Sequence, residues 1–563
     1  MNCTSKNCSS KSDSLVALFA TLFARMTAVI FLTTAAATAQ TYTPLYTYPL
    51  TNNNTTGIVW PSLTSQGQDG SLYSTIVSNG AKNAGSVFKM TTGGQYTLLY
   101  NFCSQTGCAD GSYPFSGVSL GADGNLWGTT SGGGTKAAGT IFKITPSGTL
   151  TKMYDFTNGL DDSAPTYAPL LGLDGNFYGV SEAQYNGQYG SFYKITTTGK
   201  LTPHPFNYVD GAAPNLGTQA TDGNFYGTAQ GGGDPTCKCG VVYKATAAGK
   251  ITVLHAFKGY PTDGYRPIGV LVQGNDGKLY GTTYQGGAQN YGSVFSITTT
   301  GVYTLLYSFD SFTGDGVHPL AGLTLGTDGS FYGSTNQGGT KNVGTLYQIT
   351  SGGTEKILYN FCAVTCLDGI YPATAMVQHT NGKFYGSTSG NSIPGDSIFY
   401  SLDMGLAPFA KIVIWKGKVA STVEILGQGL NGTTGVSFNG TPATFSIVSD
   451  TYMTAKVPTG AKTGSVSVVT SGGTLVSSHI FLVTPTIKTI SPTSGPVGTV
   501  VTITGTGLTQ TTKVTFGGKT GTFIVNSDSQ ITATVPSTAT TGKIVVTTPG
   551  GTATSSATFT VTP

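Results

Sequence analysis

The sequence predicts an all-β protein, a seven-bladed β-propeller followed by two immunoglobulin-like β-sandwiches. Three observations predict it. An Asp-Gly anchor recurs at Asp69, Asp123, Asp174, Asp222, Asp276 and Asp328, and as Asn381-Gly382, in steps of 48 to 54 residues. Each repeat reads as four short strands with no helical periodicity. Beyond Leu402 this rhythm stops, and residues 411–484 and 489–562 repeat each other at a displacement of 78.

The second repeat shows the unit most clearly. Gly117 to Leu120 is a short alternating strand, and Asp123-Gly124 supplies a positive-φ pair for a tight hairpin. Asn125 to Thr130 returns, Ser131 to Gly139 is a Gly-rich loop, and Thr140 to Thr145 is a third strand. After the turn Pro146-Ser-Gly148, Leu150 to Phe156 is a fourth. A four-stranded sheet of about 50 residues cannot bury both faces alone, so copies must stack, and radial stacking gives a propeller. The seventh copy has its third strand, Ile398 to Leu402, but no fourth. Tyr42-Thr-Pro-Leu-Tyr-Thr-Tyr48 matches Tyr96-Thr-Leu-Leu-Tyr-Asn-Phe102, so residues 42–50 are expected to complete blade seven. Pro44 suits an outermost edge strand, which tolerates a missing donor.

Taken in order, residues 1–39 read as a signal peptide: Lys6, Lys11 and Arg25 precede an apolar run from Met26 that ends in Ala37-Thr-Ala39. The run is shorter than a spanning helix needs, so no integral membrane segment is expected after cleavage. The propeller is assigned to 40–405, with repeats of about 52 residues, and the sandwiches to 409–484 and 486–563. Charge is sparse, 28 Lys and Arg against 24 Asp and Glu, with no basic stripe, which argues against nucleic acid. Six cysteines beyond the leader fall in close pairs, Cys103 and Cys108, Cys237 and Cys239, Cys362 and Cys366. Close even pairs in an exported chain read as local disulfides, though a bridge across the single residue between Cys237 and Cys239 is a strained one. In the C-terminal pair, Gly427-Gln-Gly-Leu430 answers Gly505-Thr-Gly-Leu508, and Val457-Pro458 answers Val535-Pro536. Each unit offers about seven short strands rich in Val, Ile and Thr.

The recurring Asp-Gly-Asn-Leu-Trp-Gly-Thr-Thr, Gly-Gly loop and Gly-Thr-Ile-Phe-Lys-Ile-Thr resemble the GloVer tandem repeat of bacterial "choice-of-anchor" exported proteins, over roughly residues 42–402. Ile490-Ser-Pro-Thr-Ser-Gly-Pro-Val-Gly498 and Gly505-Thr-Gly-Leu508 resemble paired IPT/TIG domains, over 411–563. The first copy departs from that opening with Ile414-Trp-Lys-Gly417. The first resemblance implies export and transfers no catalytic residue. The second implies receptor, transcription-factor or spacer roles, of which a leader peptide favours the extracellular ones.

Propeller geometry sorts the loops. The turns between strands one and two, and three and four, lie on one face; the longer loops and all six cysteines lie on the other. That loop face carries Asp-Gly-x-x-Pro at Asp110, Asp210, Asp263, Asp315 and Asp368, with Asp162 in a degenerate copy. No cofactor is expected: Asp caps its own turn and Pro fixes the start of the next strand, with calcium on a ring of carboxylates as the alternative. The same face holds Trp60, Tyr113, Tyr185, Tyr189, Tyr260, Tyr265, Tyr284, Tyr291 and Tyr371. Flat rings beside hydroxyls suit sugar or peptide docking. The chosen ligand-binding residues are Tyr185, Tyr189, Asp263, Tyr265, Arg266, Tyr284 and Tyr291. Beyond the leader, Arg266 is the one arginine, glutamates number three (Glu182, Glu355 and Glu424), and the five histidines share no metal or triad spacing. The expectation is therefore a non-catalytic, secreted or surface (periplasmic or cell-surface) binding protein for an extracellular polysaccharide or surface protein. A carbohydrate-active enzyme using Asp and Tyr of the loop face is the alternative, and a structural envelope or matrix component the third reading.

Overall fold

The structure is a computed structural model that describes residues 40–48, 64–80, 82–159, 161, 163–182, 189–311, 314–362, 366–389 and 397–563. Seven four-stranded antiparallel sheets follow one another, then two β-sandwiches. Blade two is typical, with strands Val118–Leu120, Leu126–Thr130, Thr140–Ile144 and Leu150–Asp155 in that order across the sheet. Leu126 pairs with Ile144 and Thr130 with Thr140. The first strands of successive blades approach one another, as strands lining a central axis must.

Burial follows from stacking. All five residues of Leu126–Thr130 are buried, since a middle strand is covered on both faces by neighbouring blades, whereas Leu150–Asp155 is half-exposed at the rim. The core is shared between blades: Val87 and Phe102 of blade one pack with Leu126 and Phe142 of blade two. Where the second strand faces the aromatic ring of the third, the chain uses glycine. A Cβ built on Gly333 would stand 2.5 Å from Cζ of Tyr347.

The ring closes through the N-terminal strand. Thr41–Thr47 is the outermost strand of blade seven, beside Ile398–Asp403. Tyr42 stacks on Tyr359 of blade six with centroids 4.0 Å apart, and Tyr46 on Tyr96 of blade one at 5.0 Å. The expectation for residues 42–50 therefore holds as far as Tyr48; residues 49 and 50 lie outside the described chain. A glutamine clasp closes the inner ring. Gln219, Gln273 and Gln378 each accept a hydrogen bond from an amide in the turn of the preceding blade. Gln66 of blade one does the same to Thr380 of blade seven, 314 residues away.

One local expectation is corrected. The Asp-Gly turns use positive φ at glycine alone, as at Gly124 (φ 76°), with Gly121 accepting from Gly124 and donating to Asn125. This is a three-residue loop ending in a left-handed glycine, not a two-residue turn with both residues left-handed.

Each sandwich has its own aliphatic core, around Ile425, Phe438 and Phe481 in the first and Ile503, Phe516 and Phe559 in the second. Lys416–Gly417 pairs in parallel with Leu482–Val483, as Ser494–Gly495 does with Thr560–Val561. The divergent opening of the first sandwich therefore fills the same place as the second.

Candidate functional site

The Asp anchors of the turn face serve the fold. In Asp174, one carboxylate oxygen accepts from the Asn176 amide, while the other accepts from the Tyr178 hydroxyl at 2.9 Å and Lys194 Nζ at 2.8 Å. Burial opposes its charge, but these donors outweigh it and hold the carboxyl at about 2. Asp69, Asp222, Asp276 and Asp328 take the hydroxyl of the tyrosine four residues on in the same way. Asn381 keeps the contact by donating to Tyr385 instead.

The first sandwich docks on this turn face. Thr451 Oγ1 donates to the carbonyl of Gln68 at 2.7 Å, and Gln428 Nε2 donates to Thr380 Oγ1 at 2.9 Å. Beneath that contact His379 is buried, its Nδ1 accepting from the Asn381 amide and its Nε2 donating to the Gly70 carbonyl. Turn face and sandwich thus form a mount that leaves the loop face clear of this junction.

On the loop face four of the five Asp-Gly-x-x-Pro carboxylates turn inward, while that of Asp210 accepts from the exposed Asn207 side chain. Asp110 accepts from the Tyr100 hydroxyl and the Ser104 and Gln105 amides. Asp315 accepts from Tyr307 and the Gly316 amide, and Asp368 from Tyr359 and the Cys362 amide. In the degenerate copy Asp161 does this work, accepting from Tyr154 and Thr157; Asp162 lies outside the described residues. Counting four back from Pro165 gives Asp161, so the expected register was one residue late. Asp263 is buried and accepts from His255 Nε2 at 3.0 Å and from the Lys258 and Gly264 amides. Burial opposes its charge, and His255 with the two amides holds the carboxyl below its ordinary range. Apart from Asp210, these carboxylates fasten an outer strand to the segment that enters the next blade. The cysteine sulfurs are bonded as paired: Cys103 to Cys108, Cys237 to Cys239, Cys362 to Cys366.

One backbone position recurs on this face, the residue before each proline; Arg266, Tyr113 and Tyr371 are exposed there, His318 and Ala213 are half-buried, and Ala164 is buried. Tyr113, Ala164, Ala213, Arg266, His318 and Tyr371 all have left-handed φ, between 51° and 59°. Each amide donates to a carbonyl in the long loop of the preceding blade, as His318 does to Tyr291. Five of the carbonyls accept from a residue one or two positions after the second strand, as Arg266 does from Tyr284. Because each residue sits where the chain turns into its innermost strand, the six ring the mouth of the channel.

Around Arg266 four side chains touch in sequence. Its guanidinium carbon lies 5.7 Å from the Tyr284 ring centroid, Tyr284 stacks on His318 at 4.8 Å, and Tyr291 meets His318 edge-on at 5.8 Å. His318 Nδ1 faces the Tyr284 carbonyl at 3.0 Å, so it carries the proton and Nε2 points elsewhere. Of the residues chosen from sequence, Arg266, Tyr284 and Tyr291 come together here. Asp263 faces inward, Tyr265 is half-buried against the core cluster that includes Cys239, Val242 and Phe257, and Tyr185 and Trp60 lie outside the described residues. Tyr189 belongs to a second cluster, tilted against Tyr208 at 5.1 Å with Lys238 Nζ 5.9 Å from the Tyr208 ring. His318, Tyr208 and Lys238 were not among the chosen residues. His318 was legible as the pre-proline counterpart of Arg266.

Glu182 occupies, one blade from Ala213, the place that Tyr284 holds in blade five. Burial pushes its carboxyl up, partly offset by the hydrogen bond from Thr166 Oγ1 at 2.7 Å. Among the described residues no three His, Cys, Asp or Glu side chains are grouped to hold a metal ion, and no helix is long and apolar enough to cross a membrane.

The chain matches the family described as the Gloeobacter/Verrucomicrobia repeat over residues 24–171 and 165–400, and the IPT/TIG domain over 410–482 and 485–561. No curated protein matches it. Among solved structures it is similar to a fungal alcohol oxidase of the AA5 family in complex with copper, at 13% identity and TM-score 0.43, over 93% of this chain and 100% of that one. It is similar to a putative 6-phosphogluconolactonase from Bacteroides uniformis at 14% identity and TM-score 0.40, over 58% of this chain and 99% of that one. It is also similar to a surface glycan-binding protein from Prevotella bryantii at 21% identity and TM-score 0.20, over 26% of this chain and 37% of that one. At these scores the likenesses bear on no activity.

Proposed function

The chain belongs to the Gloeobacter/Verrucomicrobia repeat family and carries two IPT/TIG domains, and from that premise we propose that it is an exported, non-catalytic binding or adhesion protein. Its loop face docks an extracellular glycan or surface protein, and the sandwiches serve as spacer. Residues 1–39 act as the export signal, with domains at 40–405, 409–484 and 486–563. One observation carries this reading: the turn face is engaged by its own hydrogen bonds and by the first sandwich, whereas the loop face carries the exposed Arg266 stacked on half-buried Tyr284, followed by half-buried His318 and Tyr291. Rings beside free donors suit the apolar face and hydroxyl edge of a sugar. Bonded cysteine pairs support an oxidising compartment.

Glu182 gives the enzyme reading its residue, since burial raises its carboxyl above the ordinary range and a carboxyl shifted that way suits a general acid. A glycan array run beside a polysaccharide-degradation assay decides. Binding without cleavage is expected; new reducing ends or unsaturated sugars, lost in Glu182→Gln, establish the enzyme. Silence in both favours a structural component.

A further inference from the structure

Resting on that glycan reading, we propose that the loop face is selective for an anionic polysaccharide, one bearing carboxylate or sulfate groups, with Arg266 as the anion-recognising residue and the pre-proline ring as the specificity determinant. Beyond the leader the chain contains lysines throughout but a single arginine, and it stands at the channel mouth. The ion pairs among the described residues are made by lysines and by His255; Arg266 takes part in none. Its nearest sequence carboxylate, Asp263, is buried and held by His255 and two amides. An exposed guanidinium lying over a tyrosine ring keeps its planar fork of donors for a ligand, and that fork matches carboxylate or sulfate oxygens two at a time. Lysine would supply a point charge without this geometry.

The ring around it gives the ligand its extent. In chain order Arg266, His318 and Tyr371 precede consecutive blades, and Tyr113 stands two blades further round; Ala164 and Ala213 are adjacent and small. Tyr371 and Tyr113 are 36% and 46% exposed, so they offer ring faces to successive sugars. All six positions share a left-handed φ. Their side chains therefore vary on a constant frame, which is the arrangement a recognition surface requires.

The same constancy supplies a clean test. Arg266→Ala places at φ 53° the residue that already sits at φ 51° in Ala164 and Ala213, so the fold is kept. The full chain is titrated by calorimetry with polygalacturonate, dextran sulfate, unmodified dextran and a neutral mixed-linkage β-glucan. At least one of the two anionic polymers is expected to bind, the carboxylate and sulfate arms telling which, with affinity falling as salt rises. Arg266→Ala should lose about tenfold or more, and Arg266→Lys should recover only part. Lys519→Ala, on the exposed surface of the second sandwich, should lose nothing. Neutral polymers binding as tightly as anionic ones, an unchanged Arg266→Ala, or an equal loss in Lys519→Ala would each overturn the anion inference while leaving glycan binding in place. Binding to none of the four overturns the glycan reading beneath it.

Discussion

The two faces of the propeller are built from the same number of repeats and use them in opposite ways. On the turn face every blade repeats the same contact, a carboxylate or amide taking the tyrosine or asparagine beside it, and the side chains vary little because each has a fixed partner. On the loop face the backbone is equally regular, with six left-handed pre-proline residues, yet the side chains run from alanine to arginine. Where repetition extends to the side chain it marks structure. Where it stops at the backbone it marks a surface on which chemistry is free to differ.

The contrast is broken most severely at the closure. A chain beginning at Tyr48 lacks the outer strand of blade seven and both tyrosine stacks that bind it to blades six and one. We expect its propeller to lose cooperative thermal unfolding, and a peptide of residues 41–48 to restore part of it. Next comes the interior, where Gly333→Val must displace the Tyr347 ring. Overpacking of this kind costs about 2 kcal/mol, measured by chemical denaturation. The turn face follows: Tyr226→Phe leaves Asp222 without its 2.7 Å hydroxyl donor and should cost about 1 kcal/mol. On the loop face, Arg266→Ala should change stability by less than about 0.5 kcal/mol, so that any loss of binding is not a loss of fold.

A smaller effect separates the rim from both faces. Glu355 opens the outer strand of blade six with Oε1 buried and unpartnered, and burial, then the charge of Asp315, push its carboxyl up to about 7. A carboxyl raised in the folded state binds protons the unfolded chain has released, so stability falls as pH rises from about 4.5 to 7. Glu355→Gln should therefore raise the melting temperature at pH 8 by about 2 °C and leave it unchanged at pH 4. Equal gains at both pH values would contradict the assignment.

Much of the fold was legible because its signals are local and recur. Asp-Gly turns, a constant period and an orphan strand at Tyr42 to Tyr48 sufficed for seven blades and their closure. The register error at Asp161 arose where Asp162 replaces the usual glycine, removing one of the two marks that fix the motif. The site was less legible, for two physical reasons. A residue before proline is ordinarily extended, so nothing in the sequence announced left-handed φ at Arg266 and His318. Sequence also assigns a residue to a loop without saying which way it faces. Asp263 and Arg266 are three residues apart, and one is buried against His255 while the other is exposed over Tyr284.

The central claim is that the pre-proline ring binds and the turn face only supports it. It is tested most directly by a glycan array comparing the intact chain with a variant carrying Tyr113→Ala, Arg266→Ala, His318→Ala and Tyr371→Ala, which gives four positions the residue already present at Ala164 and Ala213. The account predicts that the variant melts as the parent does and loses the glycans the parent retains. Retention of those glycans by the variant, or an intact chain that retains none, would contradict it.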